Sequence, residues 1–162
     1  MQITIISVGK KHEEEIGSLI LEYERRILHT SNRAVAIDWK FLPHSKLTVA
    51  DAVNEESKNI IEYLEGIKSG DTRVFLLDEK GKELDSKGFA TVLEKLQIDS
   101  VKNLVFIIGG AYGVSDELKE NVDSILAISK MVFPHQIVRL ILVEQIYRAV
   151  SINAGGAYHH GS

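Results

Sequence analysis

The segment from Ile137 to Ile152 restricts the possible folds more than any other part of the chain. Pro134 precedes it, and proline suits the first turn of a helix because its missing N–H has no intrahelical partner there. Apolar residues then occur on nearly every side of the helix. Such a helix must be covered on several sides, yet it is too short and too often interrupted by charged residues to span a bilayer. We therefore expect it to pack on its own sheet and against a second subunit, in a homodimer.

The rest of the chain alternates between strand-like and helix-like segments. Alternating or continuous apolar runs indicate strands at 2–9, 35–41, 74–78, 104–108 and 125–129. Helical spacing of apolar residues follows each of them, with Thr48, Ser86 and Ser115 as expected helix caps and Gly81 as an expected chain break. This order predicts an α/β fold with a mostly parallel sheet flanked by helices. We expect one domain over 1–162, with 154–162 as a C-terminal tail.

Composition excludes several classes of protein. The 162 residues include no cysteine, so disulfides and thiolate metal sites are impossible. The opening apolar run is too short for a signal peptide, and we expect a cytoplasmic protein. A formal charge of −4 argues against a generally basic surface that coats nucleic acid, although it leaves room for a local basic patch.

Three strand ends are expected to meet at the carboxyl edge of the sheet, where doubly wound folds bind ligands. They end at Asp78, at Gly109-Gly110 and at Ser129. Glycine would let a ligand approach the backbone, but tight strand-to-helix turns would require the same glycines. The segment GGAYG is neither a P-loop nor a GxGxxG fingerprint, so a phosphate or dinucleotide site is poorly supported.

A few titratable side chains are candidates for chemistry. His135 lies at the positive end of the long helix, which disfavours its protonated form; it is either a base or ligand, or a helix-start residue bonded to local backbone. Arg139 and Arg148 have two candidate roles: they bind phosphates, or they pair with Glu144 across an interface between helices. The histidines at 159–160 lack partners at metal-ligand spacing, so no metal is expected.

Specific sequence segments then point to a family. The segments ISKMVFPHQ and RLILVEQIYRA, the final AYH, the strand end IIGG and the turn LLDEKGK resemble the ribosomal RNA large subunit methyltransferase H family, of the SPOUT class. The resemblance covers essentially the whole chain. It implies a C-terminal trefoil knot, which no strand pattern would predict, a homodimer, and S-adenosylmethionine as cofactor. Position by position, it implies cofactor contacts at Leu77, Gly109, Ile128, Ser129, Lys130, Met131, Val132 and Phe133.

The resemblance also implies a reaction, methylation of N3 of a pseudouridine in the helix 69 loop of 23S rRNA on the assembled ribosome. We expect His135, or His159 of the partner subunit, to assist loss of the N3 proton. Arg139 and Arg148 would orient RNA phosphates, and Tyr158 would stack on or bond the target nucleotide. The chain departs from the family at its end, where 160–162 follow the usual Tyr-His stop.

Three other functions stay open from the sequence. The chain could be a SPOUT methyltransferase for another RNA such as tRNA, or a dimeric ribosome-binding module that has lost methyl transfer, against which the intact glycines speak. A Rossmann-like nucleotide binder would take ATP or NAD, and the missing phosphate motifs disfavour it.

Overall fold

The computed structural model describes residues 1–155 as an α/β fold. The strands are β1 (Gln2–Val8), β2 (Ala36–Leu42), β3 (Thr72–Glu83), β4 (Asn103–Ile108) and β5 (Ser124–Ala127). The helices are α1 (Glu14–Thr30), α2 (Val49–Ile67), α3 (Ser86–Ile98), α4 (Asp116–Glu120) and α5 (His135–Asn153). The strands pair in parallel in the order β2-β1-β4-β3-β5. The predicted fold class is confirmed, and the trefoil knot stays a prediction of the resemblance.

Helices cover both faces of the sheet, and the alternation along each strand decides which residues face which layer. Leu104, Phe106 and Ile108 of β4 pack in the core that includes α1, α3 and α5. Val105 and Ile107 of the same strand pack in the core that includes α2 and α4. A strand buried on both faces explains the continuous apolar run of β4.

The long apolar helix is confirmed as α5, which packs against α1 and α3. Leu142, Val143 and Ile146 are buried on its inner side. Several apolar side chains on its other sides stay partly exposed, among them Ile137, Leu140, Ile141 and Tyr147. Gly155 follows the helix with a φ of +73°, a conformation that favours glycine and ends the helix.

The expectation that Gly81 breaks the chain is wrong. β3 continues to Glu83 and pairs with β5 on both sides of a register shift between Leu77 and Lys82. A Cβ atom at Gly81 would lie 2.7 Å from the backbone carbon of Leu126. Glycine is present because two strands approach each other too closely for a side chain, and not because the strand ends.

The predicted helix caps are correct in part. Ser115 caps α4, where its Oγ accepts a hydrogen bond from the Leu118 N–H at 3.2 Å. Thr48 occupies the predicted cap position of α2, but its side chain makes no cap hydrogen bond. The cap of α3 is Asp85 and not Ser86, because the Asp85 carboxylate accepts the Gly88 N–H at 2.7 Å. Pro134 likewise lies one residue before the helix, as the cap of α5.

Candidate functional site

A cavity of about 440 Å³ lies at the carboxyl edge of the sheet. Its walls come from the ends of β3 and β4, the turn that follows β4, the loop between β5 and α5, and the first turn of α5. The expectation that three strand ends meet at one edge is confirmed. The volume falls in the range of ordinary small-molecule sites, about 300–1,000 Å³.

The structure brings together nearly all the residues that the resemblance assigns to a cofactor. Lys130 is the exception: its Nζ donates to the carbonyls of Glu79 at 3.2 Å and Gly81 at 3.3 Å, so it ties the loop to β3. The others line the cavity: Leu77, Gly109, Ile128, Ser129, Met131, Val132 and Phe133. Their role as cofactor contacts stays a prediction.

The cavity walls combine apolar side chains with charged ones. Met131 and Val132 are 71% and 84% exposed, so their apolar surface is open to a ligand or partner. Asp78, Glu79, Lys80 and Lys119 also line the cavity. A ligand with an apolar part and charged groups of both signs would match this combination.

The turn after β4 is held rigid by its own backbone. The Gly113 N–H donates to the Gly110 carbonyl at 3.0 Å, and the two residues form a β-bridge. Gly113 has a φ of +84°, which favours glycine. At Gly109 a Cβ atom would lie 2.6 Å from Val114 Cγ1. The tight turn therefore requires glycine whether or not a ligand binds, so both interpretations of the glycines stand.

Some cavity residues are not among the candidates that the sequence indicates. Tyr112 is 64% exposed within the glycine turn, and Val138 lies one helical turn after Pro134. Both residues lie in segments named above, and this position in the sequence was the signal that could have identified them. The fold also uses Ser57 of α2, whose Oγ accepts the Ser115 N–H at 2.8 Å and so anchors the end of the turn. No local pattern marks that contact, because α2 and the turn are far apart in sequence.

His135 lines the cavity at the start of α5. Burial lowers the pKa of His135 below its ordinary value, and the charges of Arg139 and His44 lower it further, while a hydrogen bond with the Val8 backbone and the charge of Glu56 oppose them. The imidazole is therefore neutral at pH 7, as a proton acceptor must be. Its backbone partner is Val8, which is remote in sequence. Both interpretations of His135, as a base and as a helix-start residue bonded to backbone, therefore stand.

Arg139 is buried, and neither sequence interpretation of it is correct. Its side chain is 1% exposed, and the guanidinium donates to Ser7 Oγ and to the Lys10 carbonyl, both at 2.9 Å. It also lies 5.1 Å from the centre of the Phe41 ring. A guanidinium held in this way cannot reach RNA phosphates and does not pair with Glu144. Arg139 instead joins α5 to the end of β1.

Arg148 lies further along α5, outside the cavity wall. Its Nε and Nη2 donate to Glu144 Oε1 at 3.1 and 2.5 Å. The predicted pairing with Glu144 is therefore present, within one helix and not across two. Tyr158 and His159 lie outside the described residues.

Within residues 1–155, no group of three or more histidine, aspartate and glutamate side chains could hold a metal ion. None of the helices described is long and apolar enough to cross a membrane.

Comparison with known proteins gives consistent matches. The family described as "Predicted SPOUT methyltransferase" matches residues 1–159. A protein of Bacteroides fragilis named ribosomal RNA large subunit methyltransferase H is 39% identical over 99% of this chain and 99% of its own length. A protein of the same name from Christiangramia forsetii is 37% identical, again over 99% of both chains.

A solved structure supports the fold alone. The crystal structure of a probable methyltransferase from Bordetella pertussis Tohama I superposes with a TM-score of 0.51 at 14% identity. The match covers 91% of this chain and 95% of that one. The sequence matches agree with the resemblance drawn from the segments quoted above.

Proposed function

Because this chain belongs to the SPOUT methyltransferase family, we propose that it uses S-adenosylmethionine to methylate N3 of a pseudouridine in the helix 69 loop of 23S rRNA, on the assembled ribosome. The observation that carries the proposal is the cavity at the carboxyl edge of the sheet, whose lining includes all of the segment 128–133 except Lys130, together with the glycine turn and a neutral His135. The relatives named ribosomal RNA large subunit methyltransferase H support large-subunit ribosomal RNA as the class of substrate.

The residues of the cavity fit S-adenosylmethionine chemically. Leu77 and Phe133 offer apolar surface for the adenine, and Gly109 leaves room beside the backbone. Asp78 and Glu79 bring negative charge, which suits a sulfonium or ammonium group, and Lys80 and Lys119 bring positive charge, which suits the carboxylate of the same ligand. When bound, this cofactor supplies a methyl group that is already activated for transfer. We further propose that the segment 128–133 belongs to a trefoil knot.

The part left to the protein is mainly alignment and proton removal. The N3 nitrogen carries a proton that must leave when the base is methylated. His135 is neutral, lines the cavity and is fixed at the start of a buried helix. We assign His135 as the acceptor of this proton, with His159 of the partner subunit as the alternative acceptor. Arg148 and Tyr158 would contact the target RNA.

A homodimer would cover the apolar surface left open by one subunit. Ile137, Leu140 and Ile141 are partly exposed on α5. On the neighbouring α1, Leu21 and Leu28 are 46% and 39% exposed. Apolar surface left exposed on two packed helices is a common feature of protein interfaces. Two subunits together, acting in the cytoplasm on a shaped ribosomal surface, would provide the specificity that a net charge of −4 does not.

Cofactor binding is the first test. The purified protein is titrated calorimetrically with S-adenosylmethionine, with ATP and NAD as controls. Saturable binding of S-adenosylmethionine alone is expected. Saturable binding of ATP or NAD instead would favour the nucleotide-binding alternative and refute the proposal.

The second test measures methyl transfer and identifies the product. Ribosomes, naked 23S rRNA and tRNA from a strain lacking the enzyme are incubated with the protein, and nucleosides are analysed by mass spectrometry. We expect N3-methylpseudouridine from ribosomes and little from naked rRNA. Modified tRNA would favour the related methyltransferase, and binding to ribosomes without any product would favour the inactive module.

Variants then separate the two histidines. His135→Ala and His159→Ala are compared with His29→Ala, which changes an exposed histidine on α1. Loss of turnover with unchanged cofactor affinity would assign the proton to the histidine removed. Turnover at the wild-type rate in both His135→Ala and His159→Ala would exclude histidine from the chemistry.

A further inference from the structure

A buried carboxylate lies beneath the glycine turn of the candidate site. Glu56 is on α2, and its side chain is only 8% exposed. Its Oε1 accepts the Ser45 N–H at 2.9 Å and lies 3.4 Å from His44 Nδ1. On the other side, a Cβ atom at Gly110 would lie 1.9 Å from Glu56 Oε2. Glu56 therefore occupies the space between the loop after β2 and the turn after β4.

The burial of this charge is costly unless something compensates for it. An ionised carboxylate loses much of its hydration when it is buried, and hydrogen bonds or a cation must replace that hydration. Within residues 1–155, no lysine or arginine forms an ion pair with Glu56, and the one salt-bridge contact is with the His44 ring. A neutral histidine can donate one ring N–H to a carboxylate and keep the other ring nitrogen as an acceptor. The contact through Nδ1 therefore orients the His44 ring and leaves Nε2 for another partner.

His44 connects this carboxylate to His135 and to solvent. Its ring centre lies 6.5 Å from that of His135, near enough for one water molecule to join them. The His44 side chain is 51% exposed, and it lies over Gly9, where a Cβ atom would be 2.7 Å from Nε2. The contacts therefore run from His135 in the cavity wall to the half-exposed His44, and from His44 to the buried Glu56.

We propose that His44 and Glu56 relay the proton that His135 takes from the target base. This inference rests on the proposed function. The N3–H bond of the base breaks and its electron pair stays on nitrogen, while the proton binds the His135 nitrogen that is not bonded to the Val8 backbone. The proton then passes through water to the free ring nitrogen of neutral His44, whose Nδ1 faces Glu56, and leaves from His44 to solvent. Glu56 and His44 are positioning residues, because neither lines the cavity.

The charges around His135 allow a test in which two substitutions should shift its pKa in opposite directions. Arg139 on its own helix and His44 on the loop after β2 lower the pKa of His135, whereas Glu56 on α2 raises it. Removing the Glu56 charge should therefore lower the pKa of His135. Removing the charge of His44 should raise it. A change that merely loosens the fold would not produce opposite shifts at one histidine.

The first experiment needs no methyl transfer. The ring signal of His135 is assigned by its loss in His135→Asn and is titrated by NMR in the wild type, Glu56→Gln and His44→Gln. Glu65→Gln is the matched control, since Glu65 is exposed and lies on the same helix. We expect the pKa to fall in Glu56→Gln, to rise in His44→Gln and to stay at its wild-type value in Glu65→Gln. An unchanged pKa in both Glu56→Gln and His44→Gln would overturn the proposal.

The second experiment measures the role in the reaction. Single-turnover methylation of ribosomes is followed against pH, with cofactor affinity measured for each variant. The acid limb of the profile should move to lower pH in Glu56→Gln and to higher pH in His44→Gln, with maximal rates about tenfold lower in both. His44→Gln should keep wild-type cofactor affinity, and because His44 is half-exposed this variant tests the idea even if Glu56→Gln folds poorly.

The outcomes separate this inference from the proposed function. An active wild type with unmoved pH profiles in both variants would overturn the relay and leave the methyltransferase assignment intact. Opposite pKa shifts in the two variants, together with a wild type that methylates none of the RNAs, would overturn the proposed function and, with it, the role in proton removal.

Discussion

The contact between Gly110 and Glu56 makes one substitution especially informative. In Gly110→Ala, the new Cβ would lie 1.9 Å from Glu56 Oε2, far inside the distance that two such atoms tolerate. The backbone of the turn cannot easily yield, because Gly110 also accepts the Gly113 N–H at 3.0 Å. We therefore expect the Glu56 side chain to move away and give up its present contacts.

The size of the effect follows from what Glu56 would lose. Its hydrogen bond from the Ser45 N–H, at 2.9 Å, involves a charged acceptor, and such bonds contribute roughly 1.5–3 kcal/mol. Forcing an extra methyl group into a packed site costs about 1–3 kcal/mol in measured cases. The two ranges describe one rearrangement and are not added. We expect Gly110→Ala to lower the free energy of unfolding by about 2 kcal/mol.

Urea unfolding at one fixed protein concentration measures this cost, since the stability of a dimer depends on concentration. With a slope of about 2 kcal/mol per molar urea, the midpoint should fall by about 1 M. Gly66→Ala is the matched control, because nothing lies within 4 Å of its new Cβ on α2. That change should raise stability by about 0.5–1 kcal/mol, as alanine favours a helix interior over glycine.

A double variant identifies the cause. In a Glu56→Ala background the collision disappears, so Gly110→Ala should then cost less than about 0.5 kcal/mol, and the two changes should be strongly coupled. If the cost of Gly110→Ala is the same with and without Glu56, the carboxylate is not what it collides with. If Gly110→Ala is no less stable than the wild type, the packing argument itself fails.

Three further predictions address other residues. Arg139→Met should lower the free energy of unfolding by about 2–3 kcal/mol, measured by urea unfolding, because it leaves Ser7 and a carbonyl without their buried donor. Wild-type stability together with weakened ribosome binding would instead indicate that Arg139 contacts the RNA. Burial, with a smaller contribution from Arg139, lowers the pKa of His12 from 6.5 to about 4, so the unfolded chain binds more protons there and stability should fall as pH drops from 6.5 towards 4. His12→Phe should flatten that fall in pH-dependent thermal melts, and an equally steep fall would exclude His12 as its source. Asp85→Ala should cost about 1 kcal/mol as a lost helix cap, checked by urea unfolding, and no loss would argue against the cap.

Much of the fold could be predicted because its elements have local causes. β4 is a continuous apolar run, and α5 carries apolar residues on nearly every side. Both patterns result from burial on more than one side. Gly81 shows the limit of such reasoning. Its glycine looks like a break, but it reflects the approach of β5, a strand more than forty residues away in sequence.

The candidate site likewise has features that could be predicted from the sequence and features that could not. The expectation that the segments ending at Asp78, Gly110 and Ser129 meet at one edge follows from the geometry of any parallel sheet, and the structure confirms it. The assignment of Arg139 to phosphate binding failed because a sequence does not show which arginine on an apolar helix faces inward. Its partner Ser7 is 132 positions away.

By itself the sequence determined the α/β class, the order of the elements and, through its family segments, the kind of enzyme to expect. Periodicity and capping chemistry act over a few residues, and therefore survive in the sequence as patterns. The tertiary structure alone decided that Arg139 is buried and joins α5 to β1, that Asp85 caps α3, and that Glu56 lies between His44 and Gly110. Those roles depend on which distant segments exclude water from one another, and burial of a charge by long-range packing leaves no local pattern.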